Sequence, residues 1–399
     1  MGLTKRSKMG AAMTPEADTL FPDATVKKMN TPTNQGLGLL PYQALKALVA
    51  DGVVNAANGI LDEQIQPASI DLRLDRFAHR IRASFLPGEQ RTVHDKIAQY
   101  GTHDIDLTNG AVLERGCAYI VPLMEHVKLP GRVAGVANPK SSVGRLDIFT
   151  RLITDHGTEF DRVAAGYHGR LYAEISPRTF SIVVHQGSRL NQLRLRRGTQ
   201  SSSAAEILAL HEKEGLVDRD LSRVALSEGV PLTVDLVGEN RDGLVGFRAK
   251  KHTGLIDLDR VGQYDPVDYW EPIYATKDTS LILDPGEFYI LASKEAVNIP
   301  PTHAAEMVAY DTFVGEFRVH YAGFFDPGFG HADERAEGTR AVLEVRSHDV
   351  PFMIEDGQLV GRLVFERLTD RPSRLYGAGI GSSYQRQGLQ LSKQFKPFA

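Results

Sequence analysis

Apolar residues along most of the chain come in runs of four to six that alternate with polar positions and end at Gly, Pro, Asp or Asn. Such runs predict short β-strands joined by turns. Helical spacing is rare, but it is clear in residues 42–50, directly after Pro41. A second helix is predicted in the polar segment 204–215. The pattern therefore predicts a mainly β protein with few short helices.

The sequence repeats itself at an offset of 170 residues. Residues 113–121 (LERGCAYIV) match residues 283–291 (LDPGEFYIL), and the match returns at Glu174 and Glu344. Two copies of one β domain explain this similarity, and the polar helical segment between them is expected to connect the copies without joining a core. We predict a mobile leader at 1–36, a first β domain at 37–200, a helical linker at 201–230 and a second β domain with a C-terminal arm at 231–399.

Composition and charge exclude several classes of function. The chain has 46 Lys and Arg against 50 Asp and Glu, a net charge of −4, which argues against binding to nucleic acid or to an anionic membrane. No apolar run approaches the roughly 18 residues of a membrane span. The single cysteine, Cys117, favours a reducing, cytoplasmic setting. It also excludes a zinc-dependent nucleobase deaminase, whose ligand set needs a cysteine pair, and no histidine spacing indicates a metal site.

A polar block follows Pro139 in the first copy. Lys140, Ser141 and Ser142 offer a positive charge and hydrogen-bond donors to a phosphate or to a catalytic water. Arg145 could bind a carboxylate through two parallel hydrogen bonds. The same residues also suit a plain turn capped by serines, and the sequence leaves both interpretations open.

Four carboxylates occupy matching places in the two copies. Glu174 lies in the apolar run 171–175, and Glu344 has the corresponding position. A buried carboxyl has a raised pKa and can move protons in both directions, whereas a strand glutamate that faces solvent has no such role. Asp326 begins a turn, and Asp161 lies in the looser corresponding stretch. Either aspartate could accept a hydrogen bond from a sugar hydroxyl or could merely cap its turn.

Taken together, these segments resemble the dCTP deaminase branch of the dUTPase-like superfamily. Residues 66–74 (QPASIDLRL) resemble its P-x-S-I-D-L-R-L strand, and residues 140–146 (KSSVGRL) are similar to its R-S-S-x-x-R-L block. Glu174 falls where the family has its catalytic glutamate. The C-terminal tail resembles the arm that covers the triphosphate, through Tyr376, Tyr384 and Gln387. The resemblance covers nearly all of 37–395, as two copies of a domain that usually occurs singly.

The resemblance implies two tandem dUTPase-like domains, each a distorted β-barrel or jelly roll, and an enzyme that needs no zinc. Water would attack C4 of dCTP to give dUTP and ammonia, and dUTP would supply thymidylate synthesis. Mg²⁺ would arrive on the triphosphate. In this scheme Glu174 moves protons, Ser141 holds the water and Arg145 supports the glutamate. The substrate-binding residues would be Lys140, Ser142, Asp161, Asp326, Tyr376, Tyr384 and Gln387.

The two copies depart from the family pattern in different ways. Lys140 replaces the usual arginine, and the second copy lacks the tandem serines and has Glu316 where the first has Arg145. We therefore expect the first copy to catalyse, in a trimer whose three chains stack two rings. A rival arrangement joins the serines of the first copy to Asp326 and Glu344 across a mixed interface.

Two alternatives stay open at this point. The enzymatic one is a dUTP or dCTP pyrophosphatase on the same fold, alone or combined with deamination. The other is a nucleotide-binding oligomeric scaffold without turnover. Product identity separates them, because only deamination releases ammonia and only a pyrophosphatase releases a monophosphate.

Overall fold

The structure is a computed structural model. It describes residues 36–398 except for 199–201, 223–225, 227, 239–241, 310–316, 321–322, 332–337, 348, 378–383 and 385–386. The predicted leader, apart from residue 36, and Glu316 therefore lie outside the described residues. Within the described part of the chain, no helix is long and apolar enough to cross a membrane.

The first half begins with a short strand and the predicted helix, α1 (Tyr42–Ala50), and most of its remaining elements are strands. Two further helices are α2 (Val93–Tyr100) and α3 (Ser141–Gly144). The strands are β1 (Gly38–Leu39), β2 (Val54–Ala56), β3 (Ile70–Arg73), β4 (Phe77–Ile81), β5 (Gly101–Asp106), β6 (Ala111–Leu113), β7 (Ala118–Lys128), β8 (Val133–Pro139), β9 (Ile148–Thr154), β10 (Arg162–Val163), β11 (His168–Pro177), β12 (Ile182–Val184) and β13 (Arg189–Arg197).

The second half follows helix α4 (Ala204–Glu214) and contains the short helix α5 (Pro266–Tyr269). Its strands are β14 (Val230–Thr233), β15 (Leu244–Ala249), β16 (Ile256–Asp257), β17 (Trp270–Tyr274), β18 (Ser280–Leu283), β19 (Phe288–Val297), β20 (His303–Ala309), β21 (Phe317–His320), β22 (Phe324–Phe325), β23 (Thr339–Ser347), β24 (Phe352–Glu355) and β25 (Leu359–Arg367).

The sequence repeat reappears in the strand pairing. The antiparallel pairs β8–β13, β7–β11 and β6–β12 of the first half recur as β20–β25, β19–β23 and β18–β24 in the second. Strands β8 and β20 start 170 residues apart, as do β13 and β25. The predicted mainly β fold with two similar domains is confirmed, and each domain is built from packed antiparallel sheets.

Helix α4 has the boundaries that its sequence predicts. The Ser203 hydroxyl accepts a hydrogen bond from the backbone N–H of Glu206 at the start, and Gly215 ends the helix in the left-handed conformation. The helix was expected to lie outside any core, and here the structure differs. Ile207 is buried with Leu216 in the core of the second half, because removing even one apolar stripe of a polar helix from water is favourable.

One hydrophobic cluster contains buried residues of both halves, beside the separate core of the second half. Phe180 from the first half packs edge-on against Trp270 of the second, with ring centroids 5.5 Å apart. The C-terminal Phe395 joins them at 6.0 Å from Trp270 and 5.4 Å from Tyr269. Backbone pairing also crosses the junction, since β12 runs parallel to β16. At Gly38 a Cβ would lie 2.4 Å from the carbonyl oxygen of Arg367, so the close approach of the two halves requires glycine there.

Phe395 is 6% exposed at this junction, and its replacement by alanine is expected to leave a cavity between the halves. We expect Phe395→Ala to lower the free energy of unfolding by about 3 kcal/mol or more, measured by urea denaturation. Ile282→Ala is the control, because Ile282 is 58% exposed and its loss should cost less than about 1 kcal/mol. Equal losses in the two variants would contradict the shared hydrophobic cluster.

Candidate active site

A cleft of about 910 Å³ lies between the two halves, large enough for a nucleotide. The polar block of the first half lines one wall through Asp71, Lys140, Ser141, Ser142 and Arg145. The second half lines the opposite wall through Met307, Phe324, Asp326, Phe329, Val342 and Glu344. The C-terminal tail adds Tyr376, Tyr384, Gln387 and Lys393.

The serine block forms a single helical turn, α3, at the end of β8. The backbone N–H groups of Val143 and Gly144 donate to the carbonyl oxygen of Lys140, at 2.8 and 3.0 Å. The Lys140 ammonium is ion-paired with the buried carboxylate of Asp71. The block is therefore a turn whose residues line the cleft, and its contact with a phosphate or a catalytic water stays a prediction.

The tail holds Arg145. Its guanidinium Nη1 donates to the side-chain oxygen of Gln387 and to the carbonyl oxygen of Gln390, both at 2.9 Å. The guanidinium also lies 3.8 Å from the centre of the Tyr384 ring. Arg145 is 3% exposed, so these contacts fix a buried cation at the floor of the cleft.

Glu344 is the buried carboxyl of the cleft. It lies in the middle of β23, opposite Ile290 of β19 and His320 of β21, and is 4% exposed. Burial raises its pKa to about 8, and the charge of Arg145 only partly offsets that rise. A carboxyl with a pKa near neutrality can both give and accept a proton at physiological pH.

Asp326 begins the turn after β22 and is held by Arg194, which belongs to the first half. Nη2 of Arg194 lies 3.2 Å from the Asp326 carboxylate, and it also donates to the carbonyl oxygen of Phe325 at 2.9 Å. Burial raises the pKa of Asp326, and Arg194 opposes that rise. Sequence reasoning missed Arg194, although a charged residue inside the apolar run Leu193-Arg194-Leu195 is a usable signal.

A second cross-half ion pair joins Arg346 to Asp147. Arg346 is two residues beyond Glu344 on β23, and Asp147 is two residues beyond Arg145. The Arg346 guanidinium also donates to the Thr179 hydroxyl at 3.0 Å. The pair therefore fastens the serine turn to the strand that bears Glu344, and sequence spacing alone gave no sign of it.

Glu174 and Asp161 lie outside this cleft. Both carboxylate oxygens of Glu174 accept hydrogen bonds, one from Arg151 and one from Ser84, at 2.8 and 2.7 Å. Asp161 accepts from the backbone N–H of Leu152 at 2.7 Å, and burial raises its pKa to about 7. The structure thus gathers the serine turn with Asp326 and Glu344, which is the mixed arrangement of the sequence analysis, and it does so within one chain.

Among the described residues, one group of three could hold a metal ion: His185, Asp257 and Asp259. None of the three lines the large cleft, but Asp259 lines a neighbouring cavity of about 240 Å³ together with Lys140 and Lys393. His185 is far in sequence from Asp257 and Asp259 and meets them because β12 pairs with β16, so histidine spacing could not reveal the group.

Two family models match the chain. The model described as 2'-deoxycytidine 5'-triphosphate deaminase (DCD) N-terminal domain matches residues 36–199, and the model of the corresponding C-terminal domain matches residues 202–395. The chain belongs to the dCTP deaminase family. The resemblance predicted from the sequence is therefore confirmed, and this dCTP deaminase family member is an enzyme.

Known relatives agree with the family. The crystal structure of 2'-deoxycytidine 5'-triphosphate deaminase from Agrobacterium tumefaciens is 54% identical to this chain, covers 83% of it and 99% of its own length, and superimposes with a TM-score of 0.80. Two shorter relatives are named "dCTP deaminase, dUMP-forming". The one from Beutenbergia cavernae is 30% identical and matches 36% of this chain and 74% of its own length. The one from Nocardioides sp. is 28% identical and matches 48% of this chain and 97% of its own length.

The raised pKa of Glu344 predicts a stability effect with a definite sign. The unfolded chain ionises this group near pH 4.5 and the folded chain near pH 8, so between those values the folded state binds the extra proton and loses stability as pH rises. Glu344→Gln removes this loss. The variant should gain a few kcal/mol of unfolding free energy over the parent between about pH 5 and pH 9. Urea denaturation at several pH values measures the difference, and parallel curves would contradict it.

Proposed function

We propose that this enzyme hydrolytically deaminates dCTP to dUTP and ammonia in the cleft between its halves. The observation that carries the proposal is Glu344, a buried carboxyl with a pKa near neutrality that faces the same cleft as the serine turn and Arg145. Family membership supports the reaction class.

Glu344 is the proton carrier in this proposal. In its ionised form it takes a proton from the water that adds to C4 of cytosine, and it delivers this proton to N3. A second proton then passes from the added hydroxyl to the amino group, which leaves as ammonia. One water is consumed, one ammonia is released and the carboxylate is regenerated. Ser141 holds the water by a hydrogen bond, and Arg145 stabilises the ionised glutamate.

Substrate binding uses both halves and the tail. Lys140 and the Ser142 turn meet the phosphates, and Mg²⁺ enters as part of the nucleotide substrate. Asp326 accepts a hydrogen bond from the sugar. The tail closes the cleft through Tyr376, Tyr384 and Gln387.

We assign the proton carrier to Glu344 rather than to Glu174 because their partners differ. Arg151 and Ser84 each donate to one oxygen of Glu174, and Glu174 does not line the cleft. Glu344 instead faces a cleft with Arg145 across it. The site residues come from one chain, so the three-chain ring predicted from the sequence is not needed to complete the site and stays a prediction.

A second candidate is a bifunctional enzyme that continues from dUTP to dUMP and pyrophosphate. The observation that favours it is that the two relatives above are both named dUMP-forming. Either product would supply uridine nucleotide for thymidylate synthesis.

Conservative replacement of each glutamate tests whether Glu344 or Glu174 is the proton carrier. Glu344→Gln keeps the size of the side chain but cannot accept a proton, so kcat should fall by about 100- to 10,000-fold. Glu174→Gln is the matched control, and it should keep kcat within about threefold. The measurement is initial-rate release of ammonia from dCTP with Mg²⁺. Loss of activity in Glu174→Gln with retention in Glu344→Gln would overturn the assignment.

Product analysis tests the reaction itself. The purified protein is incubated with dCTP and Mg²⁺, nucleotides are resolved by chromatography and ammonia is assayed in parallel. We expect dUTP and ammonia in equal amounts. Accumulation of dUMP and pyrophosphate with equimolar ammonia would establish the second candidate, and a monophosphate without ammonia would contradict deamination.

A further inference from the structure

Arg194 belongs to the first half, but its hydrogen bonds end in the second. It extends from β13, and its Nη1 donates to the carbonyl oxygen of Ala305 in β20 at 3.0 Å. Its Nη2 donates to the carbonyl oxygen of Phe325 at 2.9 Å and lies 3.2 Å from the carboxylate of Asp326. A flexible surface arginine would not satisfy three acceptors at once, so this guanidinium is held in one orientation.

Arg194 is buried. The residue is 3% exposed, and its guanidinium lies 4.0 Å from the centre of the Phe324 ring. A buried cation costs several kcal/mol unless partners compensate it. The partners here are the backbone that carries Asp326 and the carboxylate itself, so the arginine and the turn fix each other.

The first half supplies an internal comparison. The strand pairing shows that Asp161 and Asp326 are not equivalent: β10 pairs with β8 as β22 pairs with β20, but Asp161 precedes β10 whereas Asp326 follows β22. Asp161 accepts instead from the backbone N–H of Leu152. The position of β25 that corresponds to Arg194, 170 residues later, is Val364. The arginine is therefore present on the one strand that faces the cleft-lining aspartate and is replaced by valine in the other copy.

We propose that Arg194 is a positioning residue of the active site, through which the first half aims the Asp326 carboxylate at a sugar hydroxyl of the bound nucleotide. This inference rests on the proposed function. It means that recognition of the sugar depends on a residue of the other half, which touches no part of the nucleotide.

The charges around Asp326 predict how the loss of Arg194 would change substrate binding. Arg194 and Lys140 favour the ionised form of Asp326, while burial and Asp71 oppose it and Tyr376 lies close by. Without Arg194 the pKa of Asp326 rises further, so the carboxyl becomes neutral over a wider pH range. A neutral carboxyl is a weaker hydrogen-bond acceptor, and binding should therefore weaken most at low pH.

The experiment compares steady-state kinetics of Arg194→Met on dCTP from about pH 5.5 to pH 9. We expect KM to rise about 10- to 100-fold at the acid end and to recover partly at the alkaline end, with a smaller change in kcat. Arg194→Lys keeps the charge without the three-acceptor fork and should lie in between. Arg196→Met is the matched control. Arg196 lies two residues beyond Arg194 on β13 and makes only a 3.9 Å contact with Glu366. The KM of the Arg196→Met variant should therefore stay at the parent value.

A second measurement tests recognition of the sugar hydroxyl separately from the rest of the nucleotide. The parent enzyme should prefer dCTP over its 3'-deoxy analogue, and Arg194→Met should shrink that preference because the hydroxyl no longer meets an oriented carboxylate. Asp326→Asn should shrink it as well, and the double variant should add little. If Arg194→Met does not fold, Arg194→Lys carries the comparison.

The outcomes distinguish the positioning role of Arg194 from the proposed deaminase activity. A pH-independent loss in Arg194→Met that falls equally on dCTP and the analogue would overturn the positioning role while leaving deamination intact. No ammonia from the parent enzyme would overturn the proposed function itself.

Discussion

The burial of Glu344 beside Arg145 depends on the contact between the two halves of the chain. A carboxyl in the middle of a sheet is stable there only if it stays neutral or if a cation compensates it. The cation comes from the other half, and it is itself buried and held by the tail. The cleft, the perturbed pKa and the orientation of the arginine therefore exist together once the halves have packed, and none of them exists in one half alone.

Duplication of the domain explains how this dependence can arise. Two copies of one fold carry two sets of site residues, and each copy retains a different part. The first copy has the serine turn, but its own Glu174 is ion-paired with Arg151 and lies outside the cleft. The second copy has Asp326 and Glu344, and Glu344 lines the cleft that Arg145 also lines. Each copy is free to lose what the other supplies, so the duplication produces one complete mixed site from two partial ones.

Buried arginines specify how the copies fit together. Arg194 reaches Asp326 from the first half, and Arg346 reaches Asp147 from the second. Buried ion pairs add little net stability, because desolvation cancels much of their attraction. They do penalise any misaligned packing heavily, since a shifted register would leave a charge buried without a partner. The tail adds a further link, because the Ser392 hydroxyl donates to the carbonyl oxygen of Ser142 at 2.6 Å.

The sequence by itself determined the strand-rich fold, the 170-residue repeat, the helix at 42–50, the helix predicted at 204–215 and the polar block that lines one wall of the cleft. Local spacing, capping residues and motif order encode these features, because they depend on neighbours along the chain. The choice between Glu174 and Glu344 depended on the tertiary structure, since both lie in equivalent apolar strands. The carboxylates differ in the arginine near them: Arg151 for Glu174, Arg145 for Glu344 and Arg194 for Asp326. These arginines are distant in sequence from the carboxylates, so only the tertiary packing decides which arginine lies beside which carboxylate.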